Sequence, residues 1–407
     1  MESIHKCVAG LDVHKAIIVC TVLQSDSTNI INKKTKQFST FRKDLVEMAK
    51  WLSSYPIELS VMESTSVYWK SPFEVLEEAG IPVFVVNARH IKNVPGRKTD
   101  VKDSEWLANL ARCGLLRNSF IPPRDIRELR MVTRYRRKLV GMRASEKNRL
   151  QKVLEDGGIR LSCVVSDIDG VSAKEMIASL IEGTFRPENL VKMARGQLKK
   201  KTLELTHSLE GNLSDRHRFL LKQVRGHIEA LNEQIKEIDS QIVAAMEPYK
   251  QEWQALQTIP GIDSIGAAML LTEIGKDMSR FGNADRLCSW AGICPGSYES
   301  AGKRKSGRTL RANVYIKTLL CEFAQSARRS NSQFKSRYEA LVVRRGYKRS
   351  IIAVAHQILR VVFHVIKNKA PYKDPQIDYK QLIVNRNASR WIRTLKEYGY
   401  LDKIRGC

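Results

Sequence analysis

Apolar residues in the first hundred positions fall in short runs separated by turn formers. CVAGLDV at 7–13, AIIVCTVL at 16–23 and a more polar stretch over 31–38 predict three strands, because runs this short and rich in Val and Ile suit strands better than helices. From Lys43 to Ser53 the period changes, with Leu45, Met48, Ala49 and Leu52 on one helical side. A strand is predicted at 57–62, ending on Glu63. Ser64 and Thr65 can then cap a helix that runs to Ala79 and stops at Gly80. A strand at 82–86 and a loop with Pro95 and Gly96 lead to a helix that starts within KTDVKDSE at 98–105. This order predicts an α/β layer around one mixed sheet.

Beyond residue 120 the pattern is helical. Ile126, Leu129, Val140, Leu150 and Leu154 give 124–152 a partial apolar stripe, and 156–215 reads as short helical pieces with no evident chemistry. Leu221, Val224, Ile228, Leu231, Ile235, Ile238, Ile242 and Ala245 alternate spacings of three and four, which predicts a coiled-coil seam. Its partner is either the 124–152 helix, antiparallel, or a second subunit. LQTIPGIDSIGAAMLLTEIG at 256–275 predicts a helix, a tight turn at Pro260-Gly261 and a second helix. As a helix-hairpin-helix it would bring backbone N–H groups to a phosphate, with Gly261 and Gly266 allowing close approach. A purely structural hairpin has the same pattern. The apolar stretch 351–366 is broken by His356, Gln357, Arg360 and His364, so it reads as a core helix rather than a membrane span. The expected domains are 1–120, 121–250, 251–345 and 346–407.

Charge changes the picture more than composition does. The chain has 407 residues, 43% of them hydrophobic, which fits a folded protein with more than one domain. Its formal net charge is +26, an excess that calls for a polyanion, and nucleic acid is the expected partner rather than a membrane. MESIHKCVAG carries no signal-peptide or myristoylation pattern. The eight cysteines form no CxxC pair, which argues against zinc and for reduced thiols in a cytoplasm. Between Arg124 and Lys152 eleven Lys or Arg face three acids. Arg134, Arg136, Arg137 and Lys138 are thus candidate phosphate contacts, with a solvated helix face as the alternative.

Two places suggest chemistry. Asp12 stands in an otherwise apolar strand, Glu63 ends another, and Asp100 and Asp103 lie three apart on one helical face. Four carboxylates from one sheet domain suit Mg²⁺ or Mn²⁺ and metal-assisted phosphodiester cleavage. Each also has a plain reading: a first-turn acid or cap for Asp100 and Asp103, a salt bridge to Lys15 or a neighbouring basic residue for Asp12, and a surface position for His14, which could otherwise support a ligand. In the second place, Lys303, Arg304, Lys305, Arg308 and Arg311 follow one another with no acid, close to the hydroxyls of Ser297, Ser300 and Ser306. Chemistry alone favours phosphate binding there over a serine nucleophile.

GLDVHK at 10–15, Glu63 and KTDVKDSEWLA at 98–108 resemble the N-terminal domain of the IS-one-ten family of insertion-sequence transposases. That resemblance implies a RuvC-like, ribonuclease H-type nuclease with Asp12, Glu63, Asp100 and Asp103 as its carboxylate set. The 256–275 hairpin and SAGKRKSGRT at 300–309 resemble the family's mainly α C-terminal transposase domain, where a serine becomes joined to DNA. Ser300 matches best, with Ser297 and Ser306 as alternatives. The resemblance covers roughly 1–115 and 250–320. It further implies donor and target DNA, a bridge RNA, and a homodimer or homotetramer whose two kinds of domain form a composite site. The setting would be the nucleoid in a bacterial or archaeal cytoplasm. The rival readings are a junction or RNA nuclease that uses the metal site alone, and a non-catalytic nucleic-acid-binding protein.

Overall fold

β1 (Cys7–Val13), β2 (Ile17–Ser25) and β3 (Ile31–Ser39) form an antiparallel meander. β4 (Leu59–Glu63) pairs parallel with β1, and β5 (Val83–Val86) pairs parallel with β4. The strand order is thus β3-β2-β1-β4-β5, one mixed sheet as the sequence predicts. The computed structural model describes residues 4–25, 30–64, 66–88, 91, 103–183, 186–296, 298–300, 302–307, 309 and 312–400, with only the backbone of 298–300 and 304–306.

Parallel neighbours need crossovers, and helices supply them. α1 (Arg42–Ser53) connects β3 to β4, and α2 (Lys70–Glu78) connects β4 to β5. Leu45, Met48 and Leu52 of α1 and Phe73 and Leu76 of α2 bury against Ala9, Leu11, Val13 and Met62 on one sheet face. On the other face α3 (Asp103–Arg112) sets Leu107, Ala108, Leu110 and Ala111 against Val8, Leu59, Val61 and Val86. α2 begins later than its sequence suggests. The Ser64 N–H donates to Val86 O at 2.9 Å and Ser66 adopts φ +49°, so no cap forms at Ser64 and the helix starts only at Lys70.

The chain divides into two units, 1–121 and 122–407. In the second, α4 (Arg124–Asp156) and α8 (Asp215–Ala244) pair antiparallel, as the partners Arg136–Asp239, Arg143–Asn232, Glu146–His227 and Asp156–His217 show. The apolar seam of α8 is used in this pairing: Leu231 and Ile235 cluster with Leu139, and Ile238 packs against them half-buried. At the far end of the pair, α5 (Val171–Glu182), α6 (Pro187–Val191) and α7 (Thr202–Ser208) form a small body. Its core joins Met176, Ile177, Leu205 and Leu209 to Leu154, Leu221 and Val224 of the two long helices.

α9 (Lys250–Gln257), α10 (Ser264–Ile274) and α11 (Ala284–Trp290) follow. A ribbon of β6 (Tyr298–Ser300) and β7 (Lys303–Ser306) comes next, then α12 (Val314–Ala327), α13 (Gln333–Arg345), α14 (Tyr347–Asn368) and α15 (Tyr379–Glu397). α14 has a stretch of mean hydropathy 1.4, long and apolar enough to cross a membrane, yet over half of that stretch is buried inside the protein. It packs on α9, α11, α12 and α13. The boundary expected at residue 346 therefore does not separate two packed bodies: α14 supplies the centre of the region before it.

Candidate active site

Strand register brings two of the four predicted carboxylates together. Leu11 of β1 faces Met62 of β4, so the next residues, Asp12 and Glu63, stand level at the carboxyl ends of adjacent parallel strands. Side chains alternate along a strand, so Asp12 follows Val8 and Gly10, and Glu63 follows Leu59 and Val61, on the face that α3 covers. That helix runs antiparallel to β1. Its last residue accepts a bond from the Ile4 N–H at 2.9 Å, and its first turn stands over Gly10. Asp103, the first residue of α3, therefore lies at the Asp12 end.

Gly10 makes this approach possible. A Cβ there would lie 2.0 Å from Ser104 O and 2.5 Å from Ala108 N, so any side chain would push α3 off the sheet. The docking is completed by a buried hydrogen bond of 2.8 Å between the hydroxyls of Ser104 and Thr21, and by Lys33 donating to Glu105 at 3.0 Å. The plain alternative for Asp12, a salt bridge to Lys15 or a neighbouring basic residue, is met, though not by Lys15. His14 Nε2 donates to Asp12 Oδ2 at 3.1 Å instead. Asp100 lies outside the described residues, and among those described no three His, Cys, Asp or Glu side chains group closely enough to hold an ion. The donors present are hard carboxylate oxygens at strand ends and a helix start, a set that fits a small divalent cation.

The serine region is a two-stranded ribbon. Ser300 pairs with Lys303 at its tip, where Gly302 turns the chain at φ +71°. Ser306 pairs with Tyr298 at the opposite end, and Ser297 lies outside the described residues. Lys303 is exposed; of Arg304 and Lys305 the backbone alone is described, and Arg308 lies outside the described residues. The ribbon leads into α12, which Asn313 caps by accepting from the Tyr315 N–H at 3.0 Å.

Asn313 also reaches a group that sequence reasoning missed. Its Nδ2 donates at 2.6 Å to Glu273, a buried acid on α10. Arg134 donates to both oxygens of that carboxylate, at 2.9 and 3.0 Å, and Arg130 holds the carbonyls of Thr272 and Glu273, each at 2.9 Å. Burial pulls the Arg130 guanidinium down to about 10, with Glu273 opposing and Arg134 and Arg127 adding to the fall. One carboxylate thus ties α4, α10 and the start of α12 together. Its signal in the sequence is an acid inside the apolar run AAMLLTEIG.

Both the basic stretch and the hairpin glycines have partners within the chain. The arginines read as a phosphate track are occupied within the chain: Arg134 by Glu273, Arg136 by Asp239, and Arg137 by Glu322 at 3.6 Å and by Tyr315 O at 3.3 Å. Lys138 alone of the four is exposed and makes no ion pair among the described residues. The glycines of the 256–275 hairpin likewise serve protein packing. A Cβ on Gly261 would lie 2.6 Å from Phe323 O, and one on Gly266 would lie 2.6 Å from the Phe323 ring, so the space they free is filled by α12. The Gly266 N–H is itself taken by Asp263 at 2.7 Å.

Comparison with known proteins adds to this geometry. A DEDD-type transposase model of the IS110 group matches residues 9–157, and the model "Transposase IS116/IS110/IS902 family" matches residues 253–339. The two matches take in more than half of the chain: the first covers the sheet unit and α4, the second the region from α9 to α13. The chain is therefore a DNA transposase, an enzyme of phosphodiester cleavage and transfer. It belongs to the IS116/IS110/IS902 family. A full-length relative is the "Insertion element IS900 uncharacterized 42 kDa protein" of Mycobacterium paratuberculosis, 24% identical over 89% of this chain and 96% of its own length. Two solved structures are similar over 28% of the chain at 13% identity and TM-score 0.22. They are Thermus thermophilus RuvC, covered over 99% of its length, and T. thermophilus RuvC in complex with a Holliday junction substrate, covered over 100%.

Proposed function

We propose that this transposase holds divalent ions, Mg²⁺ or Mn²⁺, on Asp12, Glu63, Asp100 and Asp103, and that Ser300 attacks a DNA phosphate to form a phosphoserine link. One observation carries the reading: Asp12 and Glu63 stand level at the ends of adjacent parallel strands, on the face covered by the helix that starts at Asp103. Bound ions would neutralise charge at the phosphate and activate an attacking oxygen. His14 orients the Asp12 carboxylate from behind. In the serine step a bond forms between Oγ and phosphorus as one P–O ester bond of the strand breaks. The serine proton passes to a base or solvent, and the departing DNA oxygen takes up a proton. Lys303, Arg304, Lys305 and Arg308 offset the negative charge of the attacked phosphate. The tip position of Ser300 beside Lys303 favours it over Ser306.

Donor and target DNA are the substrates in this reading. The bridge RNA, the homodimer or homotetramer with a composite site, and work at the nucleoid in the cytoplasm enter through the resemblance. A coiled-coil role for the α4–α8 pair rests on the spacing of the α8 seam, and a helix-hairpin-helix role for 256–275 on its Pro260-Gly261 turn.

The test is to trap the full-length protein on donor and target duplexes with Mg²⁺, digest with protease and search by mass spectrometry. A nucleotide adduct on Ser300, with strand joining lost in both Ser300→Ala and Asp12→Asn, is the expected result. An adduct on Ser297 or Ser306 would move the nucleophile. Full cleavage by Ser300→Ala without any adduct would establish the runner-up, a junction or RNA nuclease that uses the metal site alone. Sequencing co-purified RNA checks the guide.

A further inference from the structure

The corner between α13 and α14 carries a patch that the cleavage chemistry leaves unused. Arg344 and Arg345 end α13, Gly346 turns the chain at φ +73°, and Tyr347, Lys348 and Arg349 open α14. The four cations are exposed, and none has an ion-pair partner among the described residues. Beside them the Tyr338 and Tyr347 rings meet edge-on at 6.4 Å, with the Arg328 guanidinium over both, at 5.2 and 5.7 Å. The Arg328 Nε is buried with no hydrogen-bond partner, and Arg329 next to it is exposed. Both family matches end before residue 344.

Local helix physics accounts for only half of this charge. Cations in the last turn of α13 suit the negative end of its dipole, which explains Arg344 and Arg345. Lys348 and Arg349 stand at the positive end of α14, where like charge repels. No side chain caps that 22-residue helix, and its first turn holds no acid. The first N–H groups of α14 and the surrounding cations therefore point to the same missing anion. The cations spread over two helix ends and the turn between them, more than one phosphate group can meet, so the fitting ligand is a chain of phosphates.

We propose that this corner docks the phosphate backbone of duplex DNA, in a contact that reads no sequence and takes no part in cleavage. The choice of DNA rests on the transposase class of the chain, and on neither the metal site nor the serine. Arginine and lysine neutralise successive phosphates, and the uncapped start of α14 adds backbone donors.

Fluorescence anisotropy of full-length protein on two unrelated duplexes, in EDTA across a salt series, tests it. The substitutions are Arg344→Gln, Arg345→Gln, Lys348→Gln and Arg349→Gln together. Four lost phosphate contacts, at about 0.9 each, should make the slope of log K against log salt shallower by roughly 3 to 4, equally on both duplexes. Affinity at about 0.1 M salt should fall at least tenfold. A slope within about 1 of the parent's would overturn the proposal, as would a loss confined to a structured RNA. If the fourfold variant does not fold, the pairs Arg344→Gln/Arg345→Gln and Lys348→Gln/Arg349→Gln each carry half of the expected change. EDTA suspends metal chemistry, so binding at the corner is read without cleavage or strand joining. A failure of the corner is thereby separable from a failure of the metal and serine reading.

Discussion

Along α4, Arg130 and Arg134 converge on Glu273, Arg136 on Asp239 and Arg137 on Glu322, while at the α13–α14 corner Arg344, Arg345, Lys348 and Arg349 meet no carboxylate among the described residues. Both stretches are basic in composition, although only the first stood out in the sequence. The first spends its charge holding helices of one unit together, and the second leaves its charge to solvent or a ligand. Charge density alone does not locate a nucleic-acid surface. The accounting has to ask which cations already have a partner, and how deeply the pair is buried.

The largest expected effect is at Glu273. Glu273→Gln leaves two guanidiniums facing a neutral group in a buried setting, and should cost about 3 kcal/mol in denaturant unfolding, the low end for a broken buried pair because Arg134 is partly exposed. A loss under about 1 kcal/mol would mean that the hub is held by packing alone and would weaken the contrast drawn here. Asp239→Asn should cost less, about 1 kcal/mol, since both it and Arg136 are partly exposed. That cost should shrink as salt rises, which a comparison of midpoints at low and high ionic strength would read. The fourfold corner variant should stay within about 0.5 kcal/mol of the parent, since removing like charge from the start of α14 offsets any loss. The smallest effect sharpens the line between the two regions. Lys138→Gln should lower the DNA salt slope by at most about 1, as for one phosphate contact, whereas Arg136→Gln, already paired, should leave it unchanged.

Much of the N-terminal sheet was legible because strand runs and their ends are local signals. Asp12 stood out as an acid within an apolar run, and Glu63 as the acid that closes one. Their juxtaposition depends on the parallel register of β1 and β4, strands separated by the meander and α1, and no local pattern states it. Position α2 shows the limit of capping rules: Ser64 has the right side chain, but its N–H extends the β4–β5 ladder, so the helix waits until Lys70. The basic helix was visible in composition, yet its partners Asp239 and Glu273 lie over a hundred residues away. Gly261 and Gly266 were visible too. What each glycine makes room for, a phosphate or the backbone and Phe323 ring of α12, is decided by a helix that arrives later in the chain. The α13–α14 corner was missed for a different reason. It lacks any motif, and it stands out only once the arginines of α4 are seen to have partners within the chain.

The small body at the far end of the α4–α8 pair has one consequence for how the chain can vary. The chain enters it at Gly157 and leaves at Asn212, and these two residues are hydrogen-bonded neighbours, with the Asn212 N–H on Gly157 O at 2.8 Å. Everything between them is a loop, in the topological sense, closed on a stem. Loop length carries only a logarithmic entropic cost, so this excursion can lengthen at its surface while the residues that share its core with Leu154, Leu221 and Val224 stay in place. At about 1.5 Å per residue, the 30 residues of α8 hold that variable end roughly 45 Å along the stem from the Glu273 hub. Sequence change is cheapest there, at the greatest distance within the stem from the contacts that fix the rest of the unit.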